Sequence, residues 1–352
     1  MPGKWIVFLE KQKNLMAIPA QSVSSAWAPF CIAPWYSERV WGFRDLHPWY
    51  DRIVTDGVPI GEAWLTGDQC IVATGAHAGR TLGALFAEAP ESLLGSAAPI
   101  SKVGEPNASP LLIKVIFAKE KLSVQVHPDD AMARKYGEPR GKTECWYVLS
   151  AEPGAQIALG LKPGVTLDGI KAGIETGTLE SSLNLLDVAR GEMVFVDAGT
   201  VHAIFPGSIL LETQQNCDLT YRMYDYGRGR ELHVQKSLEA TRLQTRAGKV
   251  PPRVMAGRTL LMDGEYFRVE RIAVAGSRTS ASLADESEPV PGLQYLFVAG
   301  GSARIAGPSF EALKLPMGGI AAVPAVSPEF VVEDMGSLEL MRIAPRWPRE
   351  KG

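Results

Sequence analysis

Four polar side chains of this sequence could together hold a metal ion: Gln125, His127, Glu144 and His202. They stand in three short segments, LSVQVHPDD at 122–130, GKTECWYVL at 141–149 and AGTVHAI at 198–204. Side chains two apart in an extended strand share a face, so Gln125 and His127 point the same way. Buried polar groups of this kind are costly without a partner. The sequence therefore predicts a metal site made from these four residues.

The ligand types restrict which metal ions could bind but do not identify one. Imidazole nitrogens with carboxylate and amide oxygens suit Zn, Fe, Mn, Ni or Co, and no thiolate takes part. Zinc is the expected ion, and other first-row metals remain open. One carboxylate against a dication leaves about one positive charge, which favours an anionic oxygen on a substrate, such as a developing enediolate.

Three further charged residues could act on that substrate. Lys142 stands two residues before Glu144 and shares its face in an extended strand. In the segment QQNCDLTYRMYDYGR (214–228), Asp218, Thr220 and Arg222 share a face if the chain is extended. A carboxylate and a guanidinium so placed could hold sugar hydroxyls or a negative charge. The plainer alternatives are a structural salt bridge on a strand and a solvated lysine.

Length and composition place this chain among soluble globular proteins. It has 352 residues, enough for two domains, with 46% hydrophobic and 21% charged residues. The net charge of -3 comes from 36 basic and 39 acidic residues without a basic stripe, so nucleic acid is not an expected partner. Four scattered cysteines predict reduced thiols in a cytoplasmic protein. No segment reads as a signal peptide or membrane span, and translation could start at Met1 or at Met16.

Elements that would position these residues are mostly short strands. Apolar runs separated by Gly, Pro or Asp predict strands at 110–118 and in the segments around the four donors. Helices are expected over 81–95, from 128 onward and over 166–187. Many short strands favour a mainly β fold of sandwiches or barrels.

One segment, RGEMVFVDAGTVH, is similar to the second motif of cupins. Gly191, Gly199 and His202 fit that motif, and Asp197 replaces its usual proline. We therefore expect two jelly-roll, cupin-like barrels with a few short helices. The first, residues 16–248, would be catalytic and carry the metal. The second, residues 255–345, repeats the strand and glycine-turn order without His or Glu at the ligand positions.

From about residue 38 to 240 the chain resembles a type I mannose-6-phosphate isomerase in its short form. The matching blocks include RVWG (39–42), IGEAW (60–64), LSVQVHPDD, GKTECWYVL, AGTVHAI, QQNCDLTYRMYDYGR and RELH (230–233). The resemblance implies zinc ligands at Gln125, His127, Glu144 and His202, functional residues at Lys142, Asp218 and Arg222, and a phosphate-contacting serine at Ser123. Cys145 and Cys217 replace residues that are more often Met and Ser in that family.

This resemblance implies reversible conversion of mannose 6-phosphate to fructose 6-phosphate by proton transfer between C1 and C2 through an enediolate. Lys142 and Ser123 would recognise the phosphate, and Arg222 would stabilise the enediolate. Asp218 would orient Arg222 or assist ring opening. Four groups remain open as the base: Asp218, Lys142, a metal-bound water and His77.

Two other functions are compatible with the same residues. A cupin oxygenase with redox-active iron would leave Lys142 and Arg222 without an evident role. A non-catalytic sugar-phosphate-binding relative would keep the metal site without turnover. Either way the expected partner is a small sugar phosphate, with no nucleic acid and no membrane, and the chain would be a monomer or a homodimer.

Overall fold

The computed structural model describes residues 26–96, 108–283 and 292–347, so the two candidate start methionines lie outside the described residues. Within those ranges the chain is mainly β. The first twelve strands are β1 (Phe30–Ala33), β2 (Trp35–Phe43), β3 (Ile60–Trp64), β4 (Ile71–Val72), β5 (Leu111–Ala118), β6 (Val124–Val126), β7 (Glu144–Ala151), β8 (Gln156–Leu161), β9 (Leu183–Asp187), β10 (Met193–Val196), β11 (His202–Ile204) and β12 (Ser208–Gln215).

The remaining described strands are β13 (Tyr221–Tyr224), β14 (Gly248–Val250), β15 (Arg253–Met255), β16 (Arg258–Asp263), β17 (Phe267–Ile272), β18 (Ser277–Thr279), β19 (Gln294–Gly300), β20 (Ser302–Gly307), β21 (Phe310–Pro316), β22 (Ile320–Val323), β23 (Val331–Asp334) and β24 (Glu339–Pro345). The helices are α1 (Leu82–Glu88), α2 (Pro90–Leu94), α3 (Asp130–Lys135), α4 (Leu167–Thr176), α5 (Val234–Ala240) and α6 (Ser280–Leu283), with a 3-10 turn at Leu179–Ser182. None of these helices is long and apolar enough to cross a membrane.

Two antiparallel sheets from the first part of the chain enclose one core. A seven-stranded sheet has the order β14-β10-β7-β12-β5-β3-β2, and a five-stranded sheet has the order β13-β6-β11-β8-β9. Ile116 and Trp146 of the larger sheet pack in the same cluster as Ile157 and Ile204 of the smaller one. The candidate site lies between these sheets, because its residues come from both.

Strand β5 lies inside the seven-stranded sheet, between β12 and β3. All eight of its residues are buried. Such a strand needs apolar side chains on both faces, and its sequence LLIKVIFA supplies them at every position except Lys114. The buried strand expected from this run is confirmed.

The other described strands form two sheets stacked beyond the seven-stranded one. Alternation along β19 shows the stacking: Tyr295 and Phe297 pack in the core shared with the seven-stranded sheet, whereas Leu296 and Val298 pack against the four-stranded sheet β18-β23-β20-β21. The eight-stranded sheet has the order β15-β16-β17-β24-β19-β22-β1-β4. Strands β1 and β4, although early in the sequence, therefore belong to a sheet made mostly by residues after 252.

Helices α4 and α5 cover the outer face of the five-stranded sheet. Thr166 caps α4 by accepting a hydrogen bond from the amide of Gly169, and Gly177 ends it in the left-handed conformation at φ 72°. Ile170 and Ile174 pack under the sheet. The helical stretch expected over 166–187 is wrong at its end, because residues 183–187 pair with β8 as strand β9. The helices expected over 81–95 and after residue 128 are confirmed as α1, α2 and α3.

Candidate metal centre and active site

The four donor side chains come from facing sheets. Gln125 of β6 and His202 of β11 lie directly opposite each other in an antiparallel pair. His127 follows β6, and Glu144 begins β7 in the opposing sheet. His127, Glu144 and His202 are each 1% exposed or less. The fold thus brings together four residues that are up to 77 positions apart in sequence.

Distances between these donors fit a single small cation. His127 Nε2 lies 3.8 Å from Glu144 Oε2, and His202 Nε2 lies 3.5 Å from Glu144 Oε1. The amide nitrogen of Gln125 lies 3.2 Å from His202 Nε2, and a half-turn of this amide would bring its ligating Oε1 to the same place. Donors about 2.1 Å from one tetrahedral zinc ion stand about 3.4 Å apart. The spacing of His127, Glu144 and His202 therefore matches coordination of one ion.

Both imidazoles are oriented and kept neutral by their surroundings. His127 Nδ1 donates to the carbonyl of Leu219, and His202 Nδ1 donates to the carbonyl of Thr200, each at 2.9 Å. Burial, with the Lys142 charge, holds the pKa of His127 well below its usual value. Burial also lowers the pKa of His202 to about 4, against the opposing effect of the Thr200 carbonyl. Each ring thus presents a neutral Nε2 lone pair, as a metal ligand must.

One oxygen of the Glu144 carboxylate lacks a hydrogen-bond partner among the described residues. Glu144 Oε1 is buried and accepts no hydrogen bond from any residue that the structure describes. An unsatisfied buried carboxylate oxygen is costly unless a cation neutralises it. The residues present therefore fit a divalent metal.

Lys142 reaches into this donor set. Its Nζ lies 2.6 Å from Glu144 Oε2 and 3.1 Å from His127 Nε2, and the side chain is buried. Burial alone would lower the pKa of Lys142, but the carboxylates of Glu144 and Glu212 outweigh it and raise the pKa. Lys142 is therefore a charged group next to the donors, and a solvated strand lysine is excluded.

Two buried charged residues next to the site, Lys114 and Glu212, were not predicted from the sequence. Lys114 Nζ lies 3.4 Å from Glu212 Oε1 and 3.2 Å from Asp218 Oδ1. Burial lowers the pKa of Lys114, but the carboxylates of Glu62, Asp218 and Glu212 raise it well above its usual value. A signal was available, because a lone lysine in an otherwise apolar buried strand requires a buried partner.

A cavity of about 560 Å³ opens above the donors. Its lining includes the predicted residues Ser123, Gln125, Lys142, Asp218, Thr220 and Arg222. Asp218 and Arg222 do not pair with each other: Asp218 accepts from Lys114, and Arg222 Nη1 donates to the carbonyl of Glu231 at 2.9 Å. The structural salt bridge considered for this segment is therefore not formed. Ser123 Oγ lies 3.3 Å from Gln125 Oε1.

Three guanidiniums meet in the lining of this cavity: Arg39, Arg222 and Arg230. Partial burial lowers the pKa of Arg222, and the charges of Arg230 and Arg39 lower it further. Arg222 Nε is buried without a hydrogen-bond partner among the described residues. Such a cluster attracts an anion.

His77, one of the groups considered as a base, lies elsewhere. Its ring packs on Trp27 with the centroids 4.3 Å apart, and it is not among the residues lining the cavity.

Asp197, which stands at the usual proline position, forms a two-point ion pair with Arg246 at 3.0 and 3.1 Å. Met193, Val194 and Phe195 of β10 pair with β7, so this segment carries the chain past Glu144 toward His202.

Comparisons with known proteins agree with the geometry. No family model matches the chain. A mannose-6-phosphate isomerase of Streptococcus mutans is 32% identical over 262 residues, which cover 71% of this chain and 80% of that protein. The crystal structure of the mannose 6-phosphate isomerase of Bacillus subtilis superposes with a TM-score of 0.77 at 29% identity, over 90% of this chain and 99% of that one.

A third comparison concerns the metal. A mannose 6-phosphate isomerase structure bound with zinc and yttrium shares the fold at 16% identity and a TM-score of 0.68, over 91% of this chain and 100% of that one. At such identity only the fold is comparable. The curated relative and the Bacillus structure, each aligned over most of its own length, carry the assignment. The resemblance seen in the sequence is confirmed, and the chain belongs to the mannose-6-phosphate isomerase family.

Proposed function

We propose that this protein interconverts mannose 6-phosphate and fructose 6-phosphate with one zinc ion held by Gln125, His127, Glu144 and His202. One observation carries the proposal: the buried cluster of His127, Glu144 and His202 lies beside Gln125, and Gln125 lines a cavity that is also lined by two lysines, an aspartate and three arginines. The cavity therefore offers a cation site and an anion site together. A sugar phosphate needs both, because its phosphate is anionic and its reacting carbons pass through an enediolate.

The metal would supply Lewis acidity toward the oxygens at C1 and C2 of the sugar. Lys142, whose ammonium lies beside Glu144 and His127, would donate hydrogen bonds to the same oxygens and stabilise their negative charge. Ser123 would hold a neighbouring hydroxyl or phosphate oxygen from the strand that carries Gln125. These contacts orient the reacting carbons over the donors.

The phosphate would bind among the arginines. Arg222 is the substrate-binding and catalytic arginine expected from the sequence, and its unpartnered Nε supports a contact with an anionic oxygen. Arg39 and Arg230 add charge beside it. We favour this place for the phosphate over the Ser123–Lys142 place, because three guanidiniums line it, whereas Lys142 lies beside the metal donors, where the reacting carbons would bind.

Asp218 and Lys142 are the two remaining candidates for the proton transfer among the side chains considered. Asp218 lines the cavity and is held by Lys114, so it could take or return a proton at C1 or C2, or assist ring opening. Lys142 is charged in the structure and would act as the acid. His77 is left out because it does not reach the cavity.

The sheet pairs support a two-barrel architecture for this function. We propose that the five- and seven-stranded sheets form the metal-bearing cupin-like barrel, and that the four- and eight-stranded sheets form the second one. One core lies between the five- and seven-stranded sheets, and another lies between the four- and eight-stranded sheets. The core shared by the seven- and eight-stranded sheets lies between these two. In this proposal every donor belongs to the first barrel.

An anaerobic isomerase assay of the purified full-length chain, with elemental analysis, tests the function. We expect about one zinc per chain and turnover of mannose 6-phosphate that does not need oxygen. Tight sugar-phosphate binding without turnover would instead show a non-catalytic relative. Iron with oxygen uptake would show an oxygenase, and either result would overturn the proposal.

A further inference from the structure

The segment that carries Lys142 is held at both ends by one carboxylate, Asp130. The amide of Gly141 donates to Asp130 Oδ1 at 2.8 Å. The side-chain amide of Gln215 donates to the same oxygen at 2.9 Å, and its own Oε1 accepts from the amide of Thr143 at 2.9 Å. Asp130 thus fixes the residue before Lys142 directly and the residue after it through Gln215.

Close packing reinforces this arrangement. A Cβ atom on Gly141 would lie 2.4 Å from the carbonyl carbon of Asp129 and 2.6 Å from the carbonyl oxygen of Pro128, so the position admits no side chain. The amide of Lys142 donates to the same Pro128 carbonyl at 3.0 Å. The segment therefore lies against the chain that leads from His127 into α3, with little freedom to shift.

The second oxygen of Asp130 is bound by a residue from the other half of the chain. Tyr266 lies in the turn between β16 and β17 of the eight-stranded sheet, and its hydroxyl donates to Asp130 Oδ2 at 3.0 Å. The nearby carboxylate also raises the pKa of Tyr266, after the larger effect of burial, so the hydroxyl stays protonated and remains a donor.

We propose that Tyr266 and Asp130 are positioning residues for the reaction. Through Gly141, Gln215 and Thr143 they fix the backbone that aims the Lys142 ammonium at the substrate oxygens. This inference rests on the proposed role of Lys142. It gives the described residues after 252, none of which lines the cavity, a role in turnover.

Kinetics of two variants test the proposal. Tyr266→Phe removes one hydrogen bond and should lower kcat about fivefold while KM for mannose 6-phosphate and zinc content stay within twofold of the wild type. Asp130→Ala should lower kcat at least about tenfold, and Asp130→Asn, which keeps an acceptor for Gly141 and Gln215, should recover most of it. A merely structural role would lower zinc content and kcat together.

Tyr50→Phe is the matched control. The buried Tyr50 hydroxyl also joins the two halves, donating to the carbonyl of Gly318 at 3.1 Å, but it lies away from the cavity lining. Its kcat should stay within twofold of the wild type. The proposal is overturned if Tyr266→Phe leaves kcat unchanged, or if Tyr50→Phe lowers kcat equally.

Amide hydrogen exchange separates this proposal from the proposed function. In Tyr266→Phe the peptide spanning residues 141–143 should exchange at least about threefold faster than in the wild type, whereas in Tyr50→Phe it should not. If the wild type has no isomerase activity, the proposed function fails and exchange alone decides whether Tyr266 orders the segment. Unchanged exchange in Tyr266→Phe refutes the positioning role of Tyr266, whatever the activity.

Discussion

Gln125 and His202 lie directly opposite each other on neighbouring antiparallel strands, with the Gln125 amide nitrogen 3.2 Å from His202 Nε2. Side chains at such a position stand on the same face at short range. Half of the donor set is thus fixed by strand register alone. A shift of register by one residue would turn one of the two side chains to the other face of the sheet. Glu144, from the opposing sheet, completes the site only when the two sheets pack correctly.

Replacing the acidic donor should remove the metal. In Glu144→Gln the shape is kept but the only charged donor of the set is lost, so zinc affinity should fall by more than about tenfold. Elemental analysis after dialysis against a weak chelator measures the change. Turnover should fall with the zinc content.

Glu212→Gln is the matched control for this change. Glu212 is equally buried, and its Oε2 accepts from the Trp146 indole at 3.0 Å, but it is not a member of the donor cluster. Its variant should keep about one zinc per chain even where activity is lost. Equal loss of zinc in both variants would show that buried charge, not coordination, holds the ion.

Removing a guanidinium from the cavity should weaken substrate binding more than chemistry. Arg230 is held by Asp225 and lines the cavity, so Arg230→Gln should raise KM for mannose 6-phosphate about tenfold with kcat within about threefold. Arg228→Gln is the control, because Arg228 donates to the carbonyl of Lys121 and is not among the lining residues. Steady-state kinetics that show equal KM values for the two variants would contradict a phosphate site at the arginines.

The sequence was sufficient to predict the donor residues as one group because Gln125 and His202 lie in short strands, and His127 and Glu144 stand at strand ends. Gln125 and His127 are two apart, and buried polar side chains in such strands call for a shared partner. The buried strand at 111–118 was equally clear from its apolar run. These features depend on local pattern, which a single sequence contains.

Other relationships depend on how sheets stack, which alternation does not specify. The pairing of β1 with β22 joins Phe30 to Ala322 across almost the whole sequence. The contact between Tyr266 and Asp130 spans 136 positions. Asp218 was expected beside Arg222 because both stand on one face if extended, but β13 begins only at Tyr221, and Asp218 turns to Lys114 instead.

A histidine far from the donors should titrate above its ordinary range. His47 Nδ1 lies 2.6 Å from Asp45 Oδ1, and its Nε2 lies 3.1 Å from Asp51 Oδ1. Hydrogen bonds to Asp45 first and Asp51 second raise the pKa of His47. Because the folded pKa exceeds the unfolded value of about 6.5, the stabilisation is present below that pH and is lost as pH rises through the folded pKa.

An NMR titration of the His47 ring checks this expectation. The midpoint should lie above about 6.5 in the wild type and should fall in Asp45→Asn. Asp56→Asn is the control, because it also removes a carboxylate from this region, and Asp56 accepts a side-chain hydrogen bond from Thr55 rather than from His47. It should leave the midpoint unchanged. A midpoint that does not respond to Asp45→Asn would show that the carboxylate does not hold the ring.

Removing one of the buried charges next to the donor residues should lower the free energy of unfolding. In Lys114→Met the carboxylate of Glu212 keeps the hydrogen bond from the Trp146 indole, but among the described residues its remaining cationic partner is the more distant Lys142, whose Nζ is 3.9 Å from its Oε1. Breaking a buried ion pair from one side costs about 3 kcal/mol or more of unfolding free energy, because an uncompensated charge stays buried.

Urea unfolding followed by tryptophan fluorescence measures this loss, since Lys114 Nζ lies 4.8 Å from the ring centroid of Trp64. Lys119→Met is the control, because Lys119 is exposed and follows the same strand, so its unfolding free energy should change by less than about 0.5 kcal/mol. Adding Glu212→Gln to Lys114→Met should recover part of the loss by neutralising the stranded carboxylate. If Lys114→Met were as stable as its control, the raised pKa of Lys114 could not reflect a strong interaction with its carboxylates, and its place beside Asp218 would then be incidental to the site.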